Sequence, residues 1–455
     1  MIERAREIAL AIRGEKEMTI VGHADADGIA ATAILAKALD REGMCYEVRI
    51  VKQLDEDLIA ELKEEGRFVA FLDLGSGMVD ELDFRRAIMD HHIPGGFGQK
   101  LHLNPHLFGF DGSTDISGAG TAYMVAKALS PSNVDLSALA IVGAVGDMQT
   151  KTSRRLISLN RKILDDAIGA GKISSMGDIE LFGRESRPIY KMLEYASDPI
   201  IPGITSNEAA AMSLLNATGI ELRSGDRLRR WVDLSFDEKR SVVSSLVKYL
   251  VKRGYGKRAR RLVGEVYIMS EEEEGTELHD AKEFSTLLNS TARYDMGEVG
   301  LEVAKGDRGD FLSRARSLLS GHRLQLAMGL DVLKEIGITR RGRVNQVHAG
   351  DAVRDTLLGT LLNMLLTSGE VDTNRPLVGF AKSDGGKIKV SSRGTEELVK
   401  RGLDLGKAMA EAALSVGGIG GGHDIAAGGT IEEGDEGEFL GLVEEIVGRQ
   451  YGGAD

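Results

Sequence analysis

The stretch MTIVGHADADGIAATAILAKALD, residues 18–40, joins a β-strand to an α-helix through a run of metal-ligand residue types. Residues 18–23 are bulky and β-branched, the mark of a buried strand, and the alanine-rich run from Gly28 has helical spacing. Three further runs repeat the strand pattern, YEVRIV (46–51), FVAFLDLG (68–75) and RAIMDHH (86–92), each set off by helical stretches. Short apolar strands alternating with helices predict a parallel α/β sheet. Three of the four strands end in histidine or aspartate. Ligands in an open parallel sheet bind at the carboxyl ends of the strands near a switch in strand order, so a polar site at one sheet edge is expected.

The whole chain frames that site. Its 455 residues predict two or three domains, and 42% hydrophobic with 28% charged residues predicts sizeable cores rather than disorder. A net charge of −13 excludes a general basic coat, so contact with a polyanion must be local or metal-assisted. The single cysteine, Cys45, excludes a disulfide framework or a thiolate zinc site and is read as a small core residue. No apolar run has the ~18 residues of a membrane span, and the charge-interspersed MIERAREIALAIRGEKE is read as a first helix of a cytoplasmic protein. After LSALAIVGAVGDM (136–148) the period turns mostly helical, with basic segments RLRRW (227–231) and KRGYGKRARR (252–261) that suit either solvated helix faces or nucleic-acid contact. The last part reads as a smaller α+β unit, with a hairpin in 376–394 turning at Asp384, Gly385 and Gly386 and a glycine-dense SVGGIGGGHDIAAGGTI (415–431).

Four groups of residues carry chemistry. His23, Asp25 and Asp27 leave the first strand together. One aspartate there could simply cap the helix, but three ligand types in five positions argue for more. Asp73 ends a buried run. Asp90, His91 and His92 follow another, in the order of a carboxylate that orients metal-binding imidazoles. Asp147 ends an apolar helix-like run and needs a partner there. This oxygen-rich set with some imidazole suits a pair of Mn²⁺ or Mg²⁺ ions better than structural zinc. Two such ions roughly 3.5 to 4 Å apart serve an in-line displacement at phosphorus, so phosphoester hydrolysis is the expected reaction class.

HADADG, FLDLGS, MDHH and VGAVGDM, followed by GGGHDIAAGG near the C-terminus, resemble in order the motifs of the DHH-family phosphoesterases that carry a C-terminal DHHA1 domain. Within that family the chain is most similar to the archaeal RecJ-like nucleases, including the GINS-associated, Cdc45-related group. The resemblance implies a DHH catalytic domain over 1–200, a helical extension over 201–330 and a DHHA1 substrate-binding domain over 331–455. It implies two divalent cations, Mn²⁺ with Mg²⁺ as the alternative. His23, Asp25 and Asp73 would hold one, and Asp27, Asp73, His91 and Asp147 the other. His92 would contact the scissile phosphate, oriented together with His91 by Asp90. Gly420, Gly421, Gly422 and His423, with Arg393 from SSRG, would meet the substrate's phosphate or terminal nucleotide.

The implied function is exonucleolytic hydrolysis of single-stranded DNA or RNA in replication or repair, with GINS and a second copy of the chain as candidate partners and no membrane. A phosphodiesterase of short oligonucleotides or cyclic dinucleotides, and a Cdc45-like scaffold that binds GINS, are the rival readings. Sequence-tolerant strand binding usually adds aromatic stacking. Only 5% of the residues are aromatic, and Trp231 is the stacking candidate. His102 and His106 are read as turn or rim residues, and His279, His322 and His348 as surface or packing positions.

Overall fold

The computed structural model describes residues 1–96, 100–196, 198–205, 207–368 and 371–452, and within these the side chains of residues 322, 323, 367, 368, 384 and 452 lie outside the description. The chain forms two compact units, Met1–Ser320 and Gly321–Asp455, with the helix Asp310–Ile336 running across the division.

The first unit is built on strands β1 (Glu17–His23), β2 (Cys45–Val51), β3 (Phe68–Leu72), β4 (Arg86–Met89) and β5 (His102–Leu103). All pairs are parallel and the order is β2-β1-β3-β4-β5. The order reverses between β1 and β3, the place where an open sheet leaves a crevice at its carboxyl edge. Helices α1 (Ile2–Arg13), α2 (Ala26–Glu42), α4 (Gly118–Leu129) and α5 (Ser137–Gly146) build the larger core on one face, and α3 (Glu56–Glu65) closes the other through Leu62 against Val21, Val69, Phe71 and Ile88. Helix α2 is alanine-rich because it is packed on nearly every side, and larger side chains would not fit between its neighbours.

A separate apolar cluster within residues 179–262 is centred on Trp231 and the helix Phe236–Lys252. It is reached through an antiparallel strand pair, Ile173–Ile179 with Val263–Met269. Helices Ala281–Arg293 and Gly297–Lys305 then return to the main core, where Phe284, Leu287, Leu288 and Val303 are buried. The second unit carries a six-stranded sheet in the order 339–341, 344–350, 377–383, 387–393, 426–432, 419–422, with one parallel pair. The hairpin expected around Gly385 is present, with the turn at 384–386.

Three expectations need correction. Cys45 is exposed, because it opens β2, the edge strand of the sheet. Trp231 is fully buried and its indole N–H donates to Asp178 at 2.9 Å, so it offers no stacking face. His102 lies in β5 and is wholly buried, with Nε2 2.8 Å from the Ser76 hydroxyl. Among the described residues, no helix is long and apolar enough to cross a membrane.

Candidate metal centre

Every motif residue of the first unit is delivered to the β1/β3 crevice by the end of an element. His23 closes β1. The chain then turns through Ala24, whose N–H donates to Val51 at 2.8 Å, and Asp25 takes the N-cap of α2 by accepting from Gly28 N–H at 2.8 Å. The capping and ligand readings of Asp25 therefore hold together, since its other oxygen lies 3.1 Å from His23 Nδ1. Asp27, in the first turn of α2, is buried and accepts from Gly118 N–H at 2.7 Å and Ala119 N–H at 3.0 Å, the first turn of α4. Those donors and the helix dipole stabilise its charge.

Asp73 follows β3 with φ 61°, a left-handed conformation that aspartate tolerates better than most residues. Its backbone N–H donates to Met89 at 2.9 Å, so the turn is tied to β4. Its carboxylate faces two imidazoles at once. Oδ2 is 3.3 Å from His23 Nδ1, and Oδ1 is 3.1 Å from His91 Nε2. A Cβ at residue 118 would collide with the Asp73 carboxylate, and one at residue 143 with that of Asp27, so Gly118 and Gly143 make room for the two buried acids.

Asp90 is a fully enclosed acceptor after β4. It takes Ser76 N–H at 2.9 Å, His91 N–H at 2.7 Å, His92 N–H at 3.2 Å and His92 Nδ1–H at 2.8 Å. His91 Nδ1 donates to Gly112 O at 2.7 Å, which leaves Nε2 as the nitrogen facing Asp73 and Asp27. Asp147 caps the end of α5, with Oδ2 3.8 Å from His91 Nδ1. The buried Gln149 amide donates to Asp147 Oδ2 at 2.9 Å and to Gly112 O at 2.8 Å, and accepts from Asn160 at 2.5 Å.

Burial and mutual repulsion perturb the titration of this cluster strongly. Burial, with repulsion from Asp27 and Asp25, pushes the Asp73 carboxyl up to about 7. Burial likewise raises Asp27 to about 6 in spite of the nearby His91, and it raises Asp147. Burial works against the His23 imidazolium, yet its hydrogen bonds to Asp25 and Asp73 prevail and drive it up to about 10. His91 is likewise raised, chiefly by Asp73 against the effect of burial. The acids outnumber the cations that the chain supplies. Asp73 Oδ1 is buried without hydrogen-bonding geometry to any partner among the described residues. Ligand atoms of His23, Asp25 and Asp73 lie within 4.8 Å of one another, as do those of Asp27, His91 and Asp147 and those of Asp73, His91 and His92. The orphaned oxygen, the excess of carboxylate and the oxygen-rich donor set all fit divalent cations.

Ser76, Asn104, Gly112, Gly118, Gly143 and Gln149 are supporting residues that the sequence reading leaves unassigned. Asn104 joins them by donating to the Ser76 hydroxyl and to His92 O, both at 2.8 Å. Ser76 and Gly143 lie inside the FLDLGS and VGAVGDM motifs, and Gln149 lies two positions past Asp147, so these three carried a local signal.

The second unit holds the remaining candidates. Arg393 ends a strand opposite Ala426, next to the Gly422–Ala427 pair, so Arg393, Gly422 and His423 gather at one end of that sheet. The backbone N–H of His423 donates to Ala426 at 2.9 Å, and Arg393 donates to Ser392 O at 2.8 Å. Gly420 packs against Met409 O of the helix Leu405–Ser415, whereas Gly421 has open space beside it. His348 stacks on Phe380 and His279 lies 3.2 Å from Glu185. The His322 side chain lies outside the described residues.

The chain matches the DHH family N-terminal domain over residues 17–144, the DHH-CID domain over 181–263 and the DHHA1 domain over 346–449. These matches give the chain a DHH, a DHH-CID and a DHHA1 domain in that order. An uncharacterized protein of Methanocaldococcus jannaschii is 29% identical over 99% of both chains. RecJ of Thermus thermophilus, solved with Mn²⁺, superposes with TM-score 0.58 at 18% identity over 98% of this chain, which spans only 54% of that RecJ. CDC45 of Entamoeba histolytica superposes with TM-score 0.66 at 13% identity over 97% of both chains. These likenesses define a DHH/DHHA1 phosphoesterase fold.

Proposed function

We propose that this protein is a two-metal phosphodiesterase that shortens single-stranded DNA or RNA from an end, with Mn²⁺ as the first-choice ion and Mg²⁺ as the alternative. The observation that carries this reading is the pair of ligand groups, His23/Asp25/Asp73 and Asp27/His91/Asp147, joined where Asp73 Oδ1 lies 3.1 Å from His91 Nε2. In this reading Asp73 would help to hold both ions, which when bound would activate water and neutralise charge at the phosphoryl group. His92 is half-exposed, and its hydrogen bond to Asp90 raises its pKa, so it stands as a cationic donor for a phosphate oxygen. The Asp90 carboxyl is held below the usual range: burial opposes this, and the His92 hydrogen bond with backbone donors prevails. Arg393, Gly420, Gly421, Gly422 and His423 are assigned to the strand's terminal phosphate or nucleotide.

A pure scaffold would gain nothing from four clustered, under-compensated carboxylates, which cost stability without metal. That cost favours catalysis over the Cdc45-like reading, although GINS binding can coexist with it. The test is a product ladder from end-labelled single-stranded DNA and RNA in Mn²⁺, Mg²⁺ or EDTA. Metal-dependent stepwise shortening is expected. Cleavage restricted to di- to tetranucleotides would replace the exonuclease with a short-oligonucleotide phosphodiesterase, and no cleavage despite bound metal would return the scaffold.

A further inference from the structure

We propose that the corner formed by the end of the helix Phe236–Lys252 and the short helix Gly256–Ala259 is a docking surface for single-stranded nucleic acid, one that reads the backbone and not the sequence. The identity of the polyanion rests on the exonuclease reading; the surface itself does not. From Lys239 to Gly264 the chain carries nine Lys and Arg and no Asp or Glu, within a protein of net charge −13. Three of the nine are neutralised: Lys239 by Asp178 at 3.4 Å, Arg240 by Asp237 at 3.4 Å and Arg261 by Asp198. The other six, Lys248, Lys252, Arg253, Lys257, Arg258 and Arg260, have no carboxylate within 4.0 Å among the described residues.

The packing explains why these cations are presented together. Val242, Leu246 and Leu250 bury one face of the helix, which turns Lys248 and Lys252, one helical turn apart, outward. Gly254, at φ 83°, ends that helix, and Tyr255 N–H returns to Leu250 O at 2.8 Å. Buried Ala259 and Leu262 anchor the next turn and leave Lys257 and Arg260 exposed. Two rings are interleaved with the charges. The Arg253 guanidinium lies 4.1 Å over Tyr249 and that of Arg258 5.0 Å over Tyr255. Tyr249 is pinned by its hydroxyl donating to Pro202 O at 3.0 Å. A guanidinium laid on a ring keeps its charge and its donors available in a fixed orientation. Six uncompensated like charges at one corner repel one another and do nothing for the fold, whereas an external polyanion complements them. Cations held in fixed orientation along one surface suit the successive phosphates of a single strand.

The test is fluorescence anisotropy of the full chain with labelled oligothymidylate and oligouridylate across a salt series in EDTA, where no strand is cut. Replacing Lys252, Arg253, Lys257 and Arg258 together by alanine should weaken binding about tenfold or more. It should also flatten the slope of log K against log salt by about 3, since each single-strand phosphate contact contributes about 0.7. Lys252→Arg with Lys257→Arg should keep wild-type affinity and slope. Unchanged affinity and slope in the alanine variant would overturn the proposal and leave the corner to an acidic protein partner. Mn²⁺-dependent cleavage of a dinucleotide, read in parallel, should be unaffected by the alanine variant. A wild type that binds strands through this corner yet cuts nothing would sink the exonuclease reading alone; one that cuts with binding indifferent to the corner would sink the docking surface alone.

Discussion

The first unit gathers two groups of carboxylates, one tied to arginine and the other to histidine. Asp178, Glu180, Glu185, Asp280 and Glu283 gather around Arg184, which meets Asp178 at 2.9 Å, Glu185 at 3.0 Å and Asp280 at 3.2 Å. Arg154 pairs with Glu180, and Glu283 accepts Glu185 N–H at 2.8 Å and the Ser186 hydroxyl. At the β1/β3 crevice, the cationic partners of Asp25, Asp27, Asp73 and Asp147 among the described residues are His23 and His91. Burial pushes both Glu283 and Asp73 up to about 7, so a perturbed carboxyl does not by itself mark a functional site. The distinction lies in what completes each group. Arg154 and Arg184 close the first as an ion-pair network, whereas the second has imidazoles in place of guanidinium, and its ligand atoms cluster within 4.8 Å of one another in sets that suit a metal.

Substituting one member of each group should break the symmetry in opposite directions. On the two-metal reading Asp73→Asn should remove hydrolysis, because a ligand common to both ions would be worth several kcal/mol of transition-state stabilisation, about 10³-fold or more in rate. The same variant should not lower the melting temperature of the metal-free protein, since it deletes a buried charge that lacks a full partner. Arg184→Met should instead destabilise the fold by about 3–5 kcal/mol, because it strands several buried carboxylates without their cation. Denaturant unfolding of both variants in EDTA checks the pair. Equal losses of stability would erase the difference between a metal centre and a scaffold network.

The crevice was legible in sequence because its chemistry is local to the ends of apolar elements: HADADG, FLDLGS and MDHH follow strands and VGAVGDM ends a helix, each with a ligand type within a residue or two of an apolar run. The Arg184 network was not, because its partners are far apart in the chain and belong to no motif. Trp231 was misread for the same reason. RLRRW looks like a surface segment, but Arg229 folds onto Glu238 and Arg230 lies beside Asp233, while the indole reaches Asp178, 53 positions away. Cys45 was misread because its strand lies at the sheet edge, and edge position depends on strand order, not on composition. His102 belongs to a strand of two residues, too short to show any alternation.

Gln149 sharpens the comparison at smaller scale, as a neutral residue that serves the metal group as Ser186 serves the other. One amide orients Asp147 and shares the Gly112 carbonyl that fixes the His91 tautomer. Gln149→Leu should weaken Mn²⁺ affinity by about 10- to 100-fold, as loss of a group that orients ligands does. Titration calorimetry on the folded variant measures it. Ser186→Ala should leave Mn²⁺ affinity at the wild-type value.

The smallest effect separates the two groups by their protons. In the metal-free fold Asp73 titrates near 7 and Asp27 near 6, both above the ordinary carboxylate value of 3.8. The folded state therefore holds more protons than the unfolded chain between those values, and the stability they contribute is complete below 3.8 and fades as pH rises through about 7. His23, raised from 6.5 to about 10, adds a contribution that is complete below 6.5 and fades through the alkaline range. Glu283, raised to about 7, declines in the same window and would mask the signal in a scan without metal. Mn²⁺ competes with protons for Asp73 and Asp27 but not for Glu283, so its binding releases protons only at the crevice. The Mn²⁺-induced rise in melting temperature should therefore grow between about pH 5 and pH 8, and the growth should shrink in Asp73→Asn and persist in Glu283→Gln. Paired scans in Mn²⁺ and EDTA read this directly. A Mn²⁺ shift independent of pH would mean that the ion binds away from the buried carboxylates, and the contrast between the two groups would lose its basis.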